Sequence, residues 1–345
     1  MTAPGVEVTI VIPNYNGRRW LGPCLESISA QTDSGAEIIV VDNASTDDSV
    51  AWLRRRWPSV RMVEQRSNRG YAAACNAGGA VAQGRTVIFV NNDVVVRPGW
   101  SAALVRCLDA APDIVIAGGV TLFMHDPTRV NTAGIRVTRS LAGVDETDLP
   151  AGGGRDVAAV SGVSFAVDHE WFRAGGGFDE EFFMYYEDLE LCLRAWAQGR
   201  RVQLTSDSVA LHAAGATSGD RDGAFRHRHT TRNRLLCAFK LLEVRELPLA
   251  WALSLLTDVT AVLWHLVRGH PRLAGRVGAA KIAGTVSAMA ALPRWLPARR
   301  TIQATRQRST RDLRRLGLIE PLGRSSRDFV SMRRRGSGNP RRPAR

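Results

Sequence analysis

The strongest constraint on the fold is a repeated alternation of short apolar runs and helical segments in the first 93 residues. Each run is rich in β-branched residues and ends in turn-forming residues, so each is predicted to be a buried strand. The predicted strands cover residues 6–12, 38–41, 60–63 and 87–90. This alternation predicts an α/β fold with a mostly parallel sheet and helices on both faces.

Three polar residues, Asp42, Asn68 and Asp93, lie at or soon after the ends of these strands. In open α/β sheets, ligands bind beyond the carboxyl ends of the strands, so we expect these side chains to line a ligand site. The chain has no GxGxxG at the start of its first helix and no GxxxxGK[ST] anywhere. An ordinary dinucleotide site and a P-loop ATP site are therefore disfavoured.

A second stretch, residues 161–199, combines glycine, acidic and aromatic residues and runs into an amphipathic helix. Its centre reads GGGFDEEFFMYYEDLELCLRAWAQG, which places Glu187 and Asp188 at the helix N-terminus. Free N–H groups and the helix dipole at this position favour an ionised carboxylate. The aromatic residues before the pair predict a partly desolvated carboxylate, which suits a general base. The alternative is an acid that only complements the dipole of its own helix.

The chain between these regions and beyond them is less regular. Residues 117–156 are rich in glycine and turn formers, and no strand or helix is assigned there. Residues 157–167, which include Ser161 and Gly162, are predicted to form one long strand, and residues 202–204 and 209–211 two short ones. The second short strand leads to His212, but a lone histidine after a strand is more often structural than a ligand.

Positive charge is concentrated at the C-terminal end of the chain. The net charge is +13, and residues 294–345 alone hold 16 arginines against Asp312, Glu320 and Asp328, which also gives +13. These residues are predicted to form an arginine-rich tail. The chain has no nucleic-acid-binding motif, so an anionic membrane surface is the expected partner of the tail and nucleic acid is not.

Residues 247–267 contain no lysine or arginine and are long enough to span a bilayer. Asp258 lies in the middle, on one helical stripe with Ser254 and His265. Because a charge at the centre of a lone spanning helix is costly, an amphipathic helix lying on the membrane or on the domain is favoured over a span. A second helix is predicted from Pro271 to about residue 292. The predicted organisation is a domain at 1–240, an amphipathic helical hairpin at 241–293 and the tail at 294–345.

The five cysteines are scattered and form no CxxC pair. This disfavours a disulfide framework and a structural zinc site, and reduced thiols in a cytosolic protein fit best. The N-terminus has no basic region followed by a long apolar run, so no secretory signal is predicted.

A series of motifs, taken in order and spacing, resembles the family 2 glycosyltransferases with the GT-A fold. The motifs are VIPNYNG, VVDNASTDDS, NRGYAAACNAG, FVNNDVVV, SGVSFAV and GGFDEEFFMYYEDLELCLR, and the late His212 follows them. The resemblance covers residues 6–240, and Arg232-Asn233 is similar to a pair common in the rhamnosyltransferase-like branch. It implies a Rossmann-like nucleotide-sugar-binding domain, followed here by a C-terminal helical, membrane-associating region.

The resemblance also implies roles for individual residues. Asp188 matches the catalytic base of the family's ED motif. The residues implied on the nucleotide-sugar side are Pro13, Asn14, Tyr15, Asp42, Asn68, Arg69, Gly70, Asn76 and Asn92. The residues implied on the acceptor side are Ser161, Gly162, Phe178, Asp179, Glu180 and Glu187, although Asp179 could equally be a turn former.

A divalent metal ion is implied by the same resemblance. Asp93 matches the last acid of the family's metal-binding DxD, and His212 matches a histidine that completes the metal or diphosphate site in family members. Mg²⁺ or Mn²⁺ suits this position, because both ions take oxygen ligands and bridge a diphosphate. The sequence here is Asn91-Asn92-Asp93, so the first acid of a full DxD is missing. A single carboxylate with His212 and the diphosphate can still hold the ion.

The implied activity is hexosyl transfer with inversion, from a nucleotide-diphosphate sugar to a lipid-linked or cell-envelope glycan. dTDP-rhamnose is the favoured donor. The expected partners are this donor, a polyprenyl-linked or glycan acceptor and an anionic membrane surface, at the cytoplasmic face of the cell membrane.

Two alternatives stay open: the same fold with a UDP- or GDP-sugar donor, and a non-catalytic scaffold that binds a sugar nucleotide or a membrane. The incomplete DxD motivates the scaffold. The presence together of Asp42, Asp93, Asp188 and His212 argues against it.

Overall fold

The computed structural model describes residues 6–31, 35–149, 152–214 and 223–320 of the chain. The strands are β1 (Val8–Asn14), β2 (Glu37–Asp42), β3 (Arg61–Glu64), β4 (Thr86–Val90), β5 (Val94–Val96), β6 (Ile114–Phe123), β7 (Asp126–Thr132), β8 (Ile135–Val137), β9 (Gly143–Asp145), β10 (Gly154–Asp156), β11 (Ser164–Asp168) and β12 (Arg201–His212). The helices are α1 (Arg18–Ser29), α2 (Ser49–Arg56), α3 (Gly70–Val81), α4 (Trp100–Asp109), α5 (His169–Ala174), α6 (Glu187–Ala197), α7 (Ala224–Leu241), α8 (Leu247–Val267), α9 (Pro271–Ala304) and α10 (Thr310–Arg315). Short 3-10 turns lie at Glu180–Phe182 and Val244–Glu246.

Most of the described strands form one mixed sheet in the order β10-β12-β6-β11-β4-β1-β2-β3, with β5 beside β12 and β7 beside β6. Strands β4, β1, β2 and β3 are parallel. Strand β11 runs antiparallel between β4 and β6, and β12 is parallel to β6. The predicted α/β class is confirmed, and the carboxyl ends of β1, β2 and β4 meet at one edge of the sheet.

Alternate residues of β1 face opposite sides of the sheet. Val11 belongs to the core that includes α3, whereas Ile10 and Ile12 belong to the core that includes α1, and all three are fully buried. Because side chains alternate along a strand, the same short strand stabilises helices on both faces. The five cysteines are buried in these cores as free thiols.

Residues 157–167 do not form the single long strand expected from the sequence, since β11 begins at Ser164. The preceding backbone bonds to several other elements instead: Val157 N donates to a carbonyl of β12, and Gly162 N donates to Asp188 Oδ2 at 2.7 Å. The two short strands expected near 202 and 209 are one strand, β12, with a register shift between Leu204 and Val209. Residues 117–156, which carry no assignment from sequence, contribute the rest of β6 and strands β7 to β10.

Helix α9 does not end near residue 292 as predicted but continues through two prolines to Ala304. Trp295 is 1% exposed and packs edge-on against Phe182, with ring centroids 4.9 Å apart. Arg299 donates to Leu242 O at 2.8 Å, at the C-terminal end of α7, where a cation complements the helix dipole. The prediction of a tail from residue 294 is therefore wrong for 294–320, and residues 321–345 lie outside the described residues.

Helix α8 packs with its polar stripe toward the domain. Ser254 and Asp258 are buried, and Asp258 pairs with Arg234 of α7 at 2.8 Å and with Lys281 of α9 at 2.5 Å. The opposite face is apolar and exposed; we call it the α8 apolar face, and it comprises Leu249, Leu255, Leu256, Val259, Leu263, Leu266 and Val267. Among the described residues, Val244–Val267 is the one segment long and apolar enough to cross a membrane, a test that core helices and signal sequences also pass.

Candidate active site

A buried cluster of side chains joins the carboxyl ends of β1, β2 and β4. Asn14 Nδ2 donates to Asp42 Oδ1 at 3.1 Å, and Asn14 Oδ1 accepts from Asn92 Nδ2 at 2.8 Å. Asp42 Oδ2 accepts from the backbone N–H of Ser45 at 2.9 Å. The structure thus brings together three residues that the sequence placed on the nucleotide side. Pro13 lies in β1 beside β2, and Tyr15 follows the cluster as a 40% exposed side chain.

A second cluster ties β2 to the start of α3 through Asn43. Asn43 Nδ2 donates to Asn68 Oδ1 and to Gly70 O, both at 3.0 Å, and Asn43 Oδ1 accepts from Arg69 N at 3.0 Å. Gly70 has a φ of +86°, and a Cβ there would clash with Phe183 O. Asn43 therefore holds three predicted residues in place. Sequence analysis did not select it, although it stands in the VVDNAS motif.

Asp93 directly precedes β5 and His212 ends β12, and these two strands pair with Val94 opposite His212. His212 Nε2 lies 3.5 Å from Asp93 Oδ1, and His212 Nδ1 lies 2.9 Å from Asn131 Oδ1. Since an amide oxygen only accepts, Nδ1 donates to Asn131, and Nε2 faces the carboxylate. An imidazole oriented by a hydrogen bond at its other nitrogen is typical of a metal ligand. Asn131, which sequence analysis missed, supplies that hydrogen bond.

The donor set fits a divalent ion that is only partly held by protein. In the described part of the chain, no group of three or more His, Cys, Asp and Glu side chains could hold a metal ion. Asp93 and His212, the two residues that the sequence predicts as metal ligands, lie together at this edge. Diphosphate oxygens suit the remaining positions, because Mg²⁺ and Mn²⁺ both take oxygen ligands.

Asp188 is held in the first turn of α6 by two backbone N–H groups. Gly162 N donates to its Oδ2 and Leu189 N to its Oδ1, each at 2.7 Å. The Tyr71 hydroxyl donates to Gly162 O at 2.7 Å, which fixes the segment that carries the first donor. Burial raises the pKa of Asp188, the two hydrogen bonds lower it, and the charge of Asp145 raises it. Asp188 is thus a desolvated carboxylate whose ionised form is hydrogen-bonded.

Glu187 is more deeply buried than Asp188 and differs from it in hydrogen bonding. It is 6% exposed, and its Oε2 finds no hydrogen-bond partner among the described residues. Burial, together with the charge of Asp188, raises the pKa of Glu187 to about 8. These surroundings favour the protonated form of Glu187, beside which Asp188 can ionise without a second charge.

Two residues expected on the acceptor side serve the fold instead. Phe178 is 2% exposed in the core, because four other rings surround it: Tyr71, Phe89, Phe165 and Phe172. Asp179 pairs with Lys240 at 2.7 Å and caps the following turn by accepting from Glu181 N at 3.0 Å. Both side chains are therefore engaged in contacts within the fold.

Asn76 does not face the nucleotide-side cluster, contrary to expectation. Its carboxamide donates to Phe178 O and accepts from Phe178 N, both at 2.9 Å, so it anchors the acidic loop to α3. Asn76 Nδ2 also donates to Glu180 Oε1 at 3.1 Å, and Glu180 pairs with the exposed Arg69 at 2.5 Å. Ser161 Oγ accepts from Val163 N at 3.4 Å, next to the segment that holds Asp188.

Comparisons with known proteins identify the family of the chain. A sequence model described as "Glycosyl transferase family 2" matches residues 9–170. The chain is 30% identical over 243 residues to an N-acetylglucosaminyl-diphospho-decaprenol L-rhamnosyltransferase of Mycobacterium tuberculosis, a match that covers 61% of this chain and 78% of that protein. It is 31% identical over 226 residues to the O-antigen biosynthesis protein RfbC of Myxococcus xanthus, which covers 61% of this chain but only 18% of RfbC. The chain thus spans less than a fifth of that second relative.

Two solved structures resemble the chain as a whole fold. The mannosyltransferase PcManGT of Pyrobaculum calidifontis, in complex with GDP-Man and Mn²⁺, aligns with a TM-score of 0.54 at 22% identity, over 88% of this chain and 85% of that one. GalNAc-T7 with UDP, GalNAc and Mn²⁺ aligns with a TM-score of 0.57 at 17% identity, over 68% of this chain and 48% of that one. At these identities the likeness shows a shared fold.

Proposed function

The chain belongs to glycosyltransferase family 2 and is a glycosyltransferase with the GT-A fold, and from this premise we propose that it transfers a sugar with inversion, using Asp188 as the general base. The observation that carries the proposal is the contrast between two adjacent acids. Asp188 accepts from two backbone N–H groups, whereas Glu187 has an oxygen with no hydrogen-bond partner among the described residues, and its pKa is raised by burial. The pair therefore offers one ionised carboxylate.

The chemistry follows from that single base. Asp188 takes the proton of an acceptor hydroxyl while the oxygen of that hydroxyl attacks the anomeric carbon. The bond to the nucleotide diphosphate breaks, and its electron pair leaves with the diphosphate. One displacement, with no nucleophile on the enzyme, inverts the configuration at the anomeric carbon.

We assign the nucleotide to the cluster of Asn14, Asp42 and Asn92, where Asp42 is positioned to accept from the base or the ribose. dTDP-rhamnose is the favoured donor, which the similarity to an L-rhamnosyltransferase supports. The same cluster accommodates a UDP- or GDP-sugar donor, which is the second candidate.

Asp93 and His212 are assigned to a divalent ion, Mg²⁺ or Mn²⁺. A bound ion would supply positive charge that stabilises the departing diphosphate. Asn131 keeps the proton of His212 on Nδ1 and so presents Nε2 as a ligand.

The acceptor is proposed to be lipid-linked, with the protein bound peripherally to an anionic membrane at its cytoplasmic face. The α8 apolar face supports this, because an exposed apolar surface of this extent marks an interaction site. Helix α9 continues the surface with Ile282, Val286, Met289 and Leu296. Arg268, Arg272 and Arg276 are exposed around the turn between the two helices, which suits an anionic leaflet. The name of the Mycobacterium tuberculosis relative includes diphospho-decaprenol, a lipid-linked diphosphate of the same chemical class as the proposed acceptor.

Donor binding tests the proposal directly. Thermal stabilisation should be measured for dTDP-rhamnose, UDP-sugars and GDP-sugars, each with and without Mn²⁺. A true donor at 100 times its Kd stabilises the folded state by about 2.7 kcal/mol, which is about 4 °C for a chain of this size. Stabilisation without release of nucleotide diphosphate, with or without acceptor, would favour the scaffold. Absence of stabilisation by every donor would contradict the assigned nucleotide site.

A further inference from the structure

The segment that leads into the acid pair has a strained backbone. Phe183, Tyr185 and Tyr186 have positive φ angles of 62°, 71° and 77°, although none is a glycine. Phe183, with a ψ of −61°, is the centre of a γ-turn in which Met184 N donates to Phe182 O at 2.7 Å. This turn is rare and strained for an L-residue. Such conformations persist where the surrounding structure imposes them, and they cluster at functional sites.

One buried side chain of α7, Asn233, imposes this conformation. Asn233 Nδ2 contacts three carbonyl oxygens: Phe182 O at 2.9 Å, Met184 O at 2.9 Å and Tyr185 O at 2.8 Å. Asn233 Oδ1 accepts from Arg232 Nη1 at 2.8 Å, which determines the end of the amide that faces the loop. Asn233 is fully buried, so water does not compete for these bonds.

Neighbouring groups also form hydrogen bonds to this loop. Arg232 Nη1 donates to Glu181 O at 2.7 Å, and Tyr71 N, at the start of α3, donates to Phe183 O at 2.7 Å. The five successive carbonyl oxygens from residue 181 to residue 185 are therefore bonded to α7 or α3. Gly70 permits the close approach of α3, because a Cβ there would clash with Phe183 O.

These hydrogen bonds to the loop end where α6 begins. Tyr186, which follows the hydrogen-bonded carbonyl group of Tyr185, is the N-cap of α6 and has a left-handed conformation. Asp188 lies in the first turn of this helix. A change in the loop therefore rotates the first turn and moves the Asp188 carboxylate away from Gly162 N–H.

We propose that Asn233 is a positioning residue for the transfer reaction, whose carboxamide holds residues 182–185 in the strained conformation that sets Asp188 against Gly162 N–H. The inference rests on the proposed role of Asp188. Asn233 touches none of the reacting groups and acts only through the loop.

The substitution Asn233→Leu preserves the approximate shape and removes both donors. We expect turnover to fall 10- to 100-fold with a smaller change in the donor KM, because the cluster of Asn14, Asp42 and Asn92 does not bond to this loop, which meets the nucleotide side only where Gly70 lies against Phe183. The acidic limb of the kcat/KM profile should move, because a loosened loop changes both the burial that raises the pKa of Asp188 and the Gly162 hydrogen bond that lowers it. The titratable groups that interact with Asp188 stay the same in the variant: Glu187, Asp145, Tyr71, Cys192 and Cys237.

The matched control is Thr231→Val. Thr231 lies on the same helix and is also fully buried, but its hydroxyl contacts Asp258 of α8 at 3.4 Å instead of the loop. Both variants should lower Tm, and only Asn233→Leu should shift the pH profile and speed the exchange of the Gly162 amide hydrogen. Equal loss of Tm with wild-type turnover, pH profile and Gly162 exchange in Asn233→Leu would overturn the proposal.

Two further variants complete the test of Asn233. Adding Phe183→Gly to Asn233→Leu removes the φ penalty and should recover part of the turnover and of the Gly162 protection; no recovery of either contradicts a strain-holding role. If Asn233→Leu does not fold, Asn233→Ser, which keeps one donor, replaces it in every measurement. The exchange of the Gly162 amide needs no turnover, so it decides the role of Asn233 even if no nucleotide sugar proves to be a donor and the proposed function fails.

Discussion

Two neighbouring carboxylates have opposite surroundings at the scale of single residues. Asp188 receives hydrogen bonds from Gly162 N and Leu189 N, and both favour its charged form. Glu187 receives none at Oε2 from the described residues, and its pKa rises to about 8. Because adjacent buried acids resist double ionisation, we expect the pair to hold one negative charge, and the two hydrogen bonds favour its location on Asp188.

We expect Asp188→Asn to lower turnover by about 10²- to 10⁴-fold, the usual contribution of a general base. Donor affinity should stay near the wild-type value, because Asp188 is separate from the cluster of Asn14, Asp42 and Asn92. Glu187→Gln should cost less turnover. Steady-state kinetics of both variants decide the assignment: a fully active Asp188→Asn beside an inactive Glu187→Gln means that the base is Glu187.

The raised pKa of Glu187 predicts a specific pH dependence of stability. A carboxyl whose folded-state pKa lies above its ordinary value stabilises the fold below that ordinary value and loses the contribution as pH rises through the folded pKa. Between pH 6 and pH 9 the wild type should therefore lose about 2 to 3 kcal/mol that Glu187→Gln does not lose. Denaturant midpoints at these two pH values measure the difference. Parallel losses in both proteins would show that Glu187 is not the group responsible.

The assigned metal ligands predict a loss confined to donor binding. Asp93→Ala should abolish the Mn²⁺-dependent part of donor affinity and leave the fold intact, because one of two protein ligands is gone. Calorimetric titration of the donor with and without Mn²⁺ measures it. Asn131→Leu is the graded comparison, since it removes only the bond that orients His212. An Asp93→Ala protein with unchanged affinity for donor plus Mn²⁺ would remove the metal assignment.

At the scale of elements, α8 has its polar and apolar sides reversed relative to an ordinary surface helix. Its polar stripe is buried because Asp258 finds Arg234 and Lys281, and its apolar side is exposed. The sequence alone distinguishes the polar side of α8 from its apolar side, but it does not show which of the two faces the domain. The exposed side is the one available to lipid.

The double substitution Leu255→Ser/Leu263→Ser tests this surface. The two leucines are 62% and 51% exposed, so their loss should change the free energy of unfolding by less than about 1 kcal/mol. Insertion of each leucine into a bilayer is worth about 1.5 kcal/mol or more, so binding to anionic vesicles should weaken roughly 100-fold. Vesicle sedimentation and Tm measure the two effects. Undiminished vesicle binding in the variant would assign membrane contact to the arginines.

At the scale of the whole molecule, the C-terminal arginines divide into two groups. Of those up to residue 320, four bond to the domain, as when Arg299 bonds the end of α7 and Arg314 pairs with Glu246 at 2.6 Å; the other four, Arg294, Arg300, Arg311 and Arg315, are exposed. Residues 321–345 contain eight arginines against Asp328, which is a net charge of +7. The first group is therefore divided between the fold and the surface, and the second carries about half of the charge that the sequence assigned to a tail.

Two truncations distinguish these groups. Ending the chain after Glu320 should leave Tm and turnover nearly unchanged and weaken binding to anionic vesicles at low salt, by about 1 kcal/mol for each arginine that contacts the surface. Ending it before Arg294 should destabilise the domain strongly, because Trp295 and Arg299 are removed from α7 and the loop beneath it. Thermal unfolding of the two proteins gives the comparison. Equal stability would contradict the packed role of residues 294–320.

Much of the architecture was predictable from the sequence because it depends on local patterns. The first four long strands, α8, and the positions of Asp42, Asp93, Asp188 and His212 after strands or before a helix follow from periodicity and motif order. These features need only neighbours along the chain, and the structure keeps them with shifts of one or two residues at the ends.

What the tertiary structure decided is the partner of each polar group, because partners come from distant parts of the chain. Phe178 packs among core rings and Asn76 bonds to loop backbone, so neither contacts the predicted clusters. Three asparagines make contacts to the site residues that no local pattern encodes: Asn43, Asn131 and Asn233. A buried polar group must find a bonding partner, and only the assembled fold specifies which one lies within reach. By itself the sequence determined the sheet and the candidate acids; the packing of α7 and of the segment around Gly162 determined which acid is charged and what holds it.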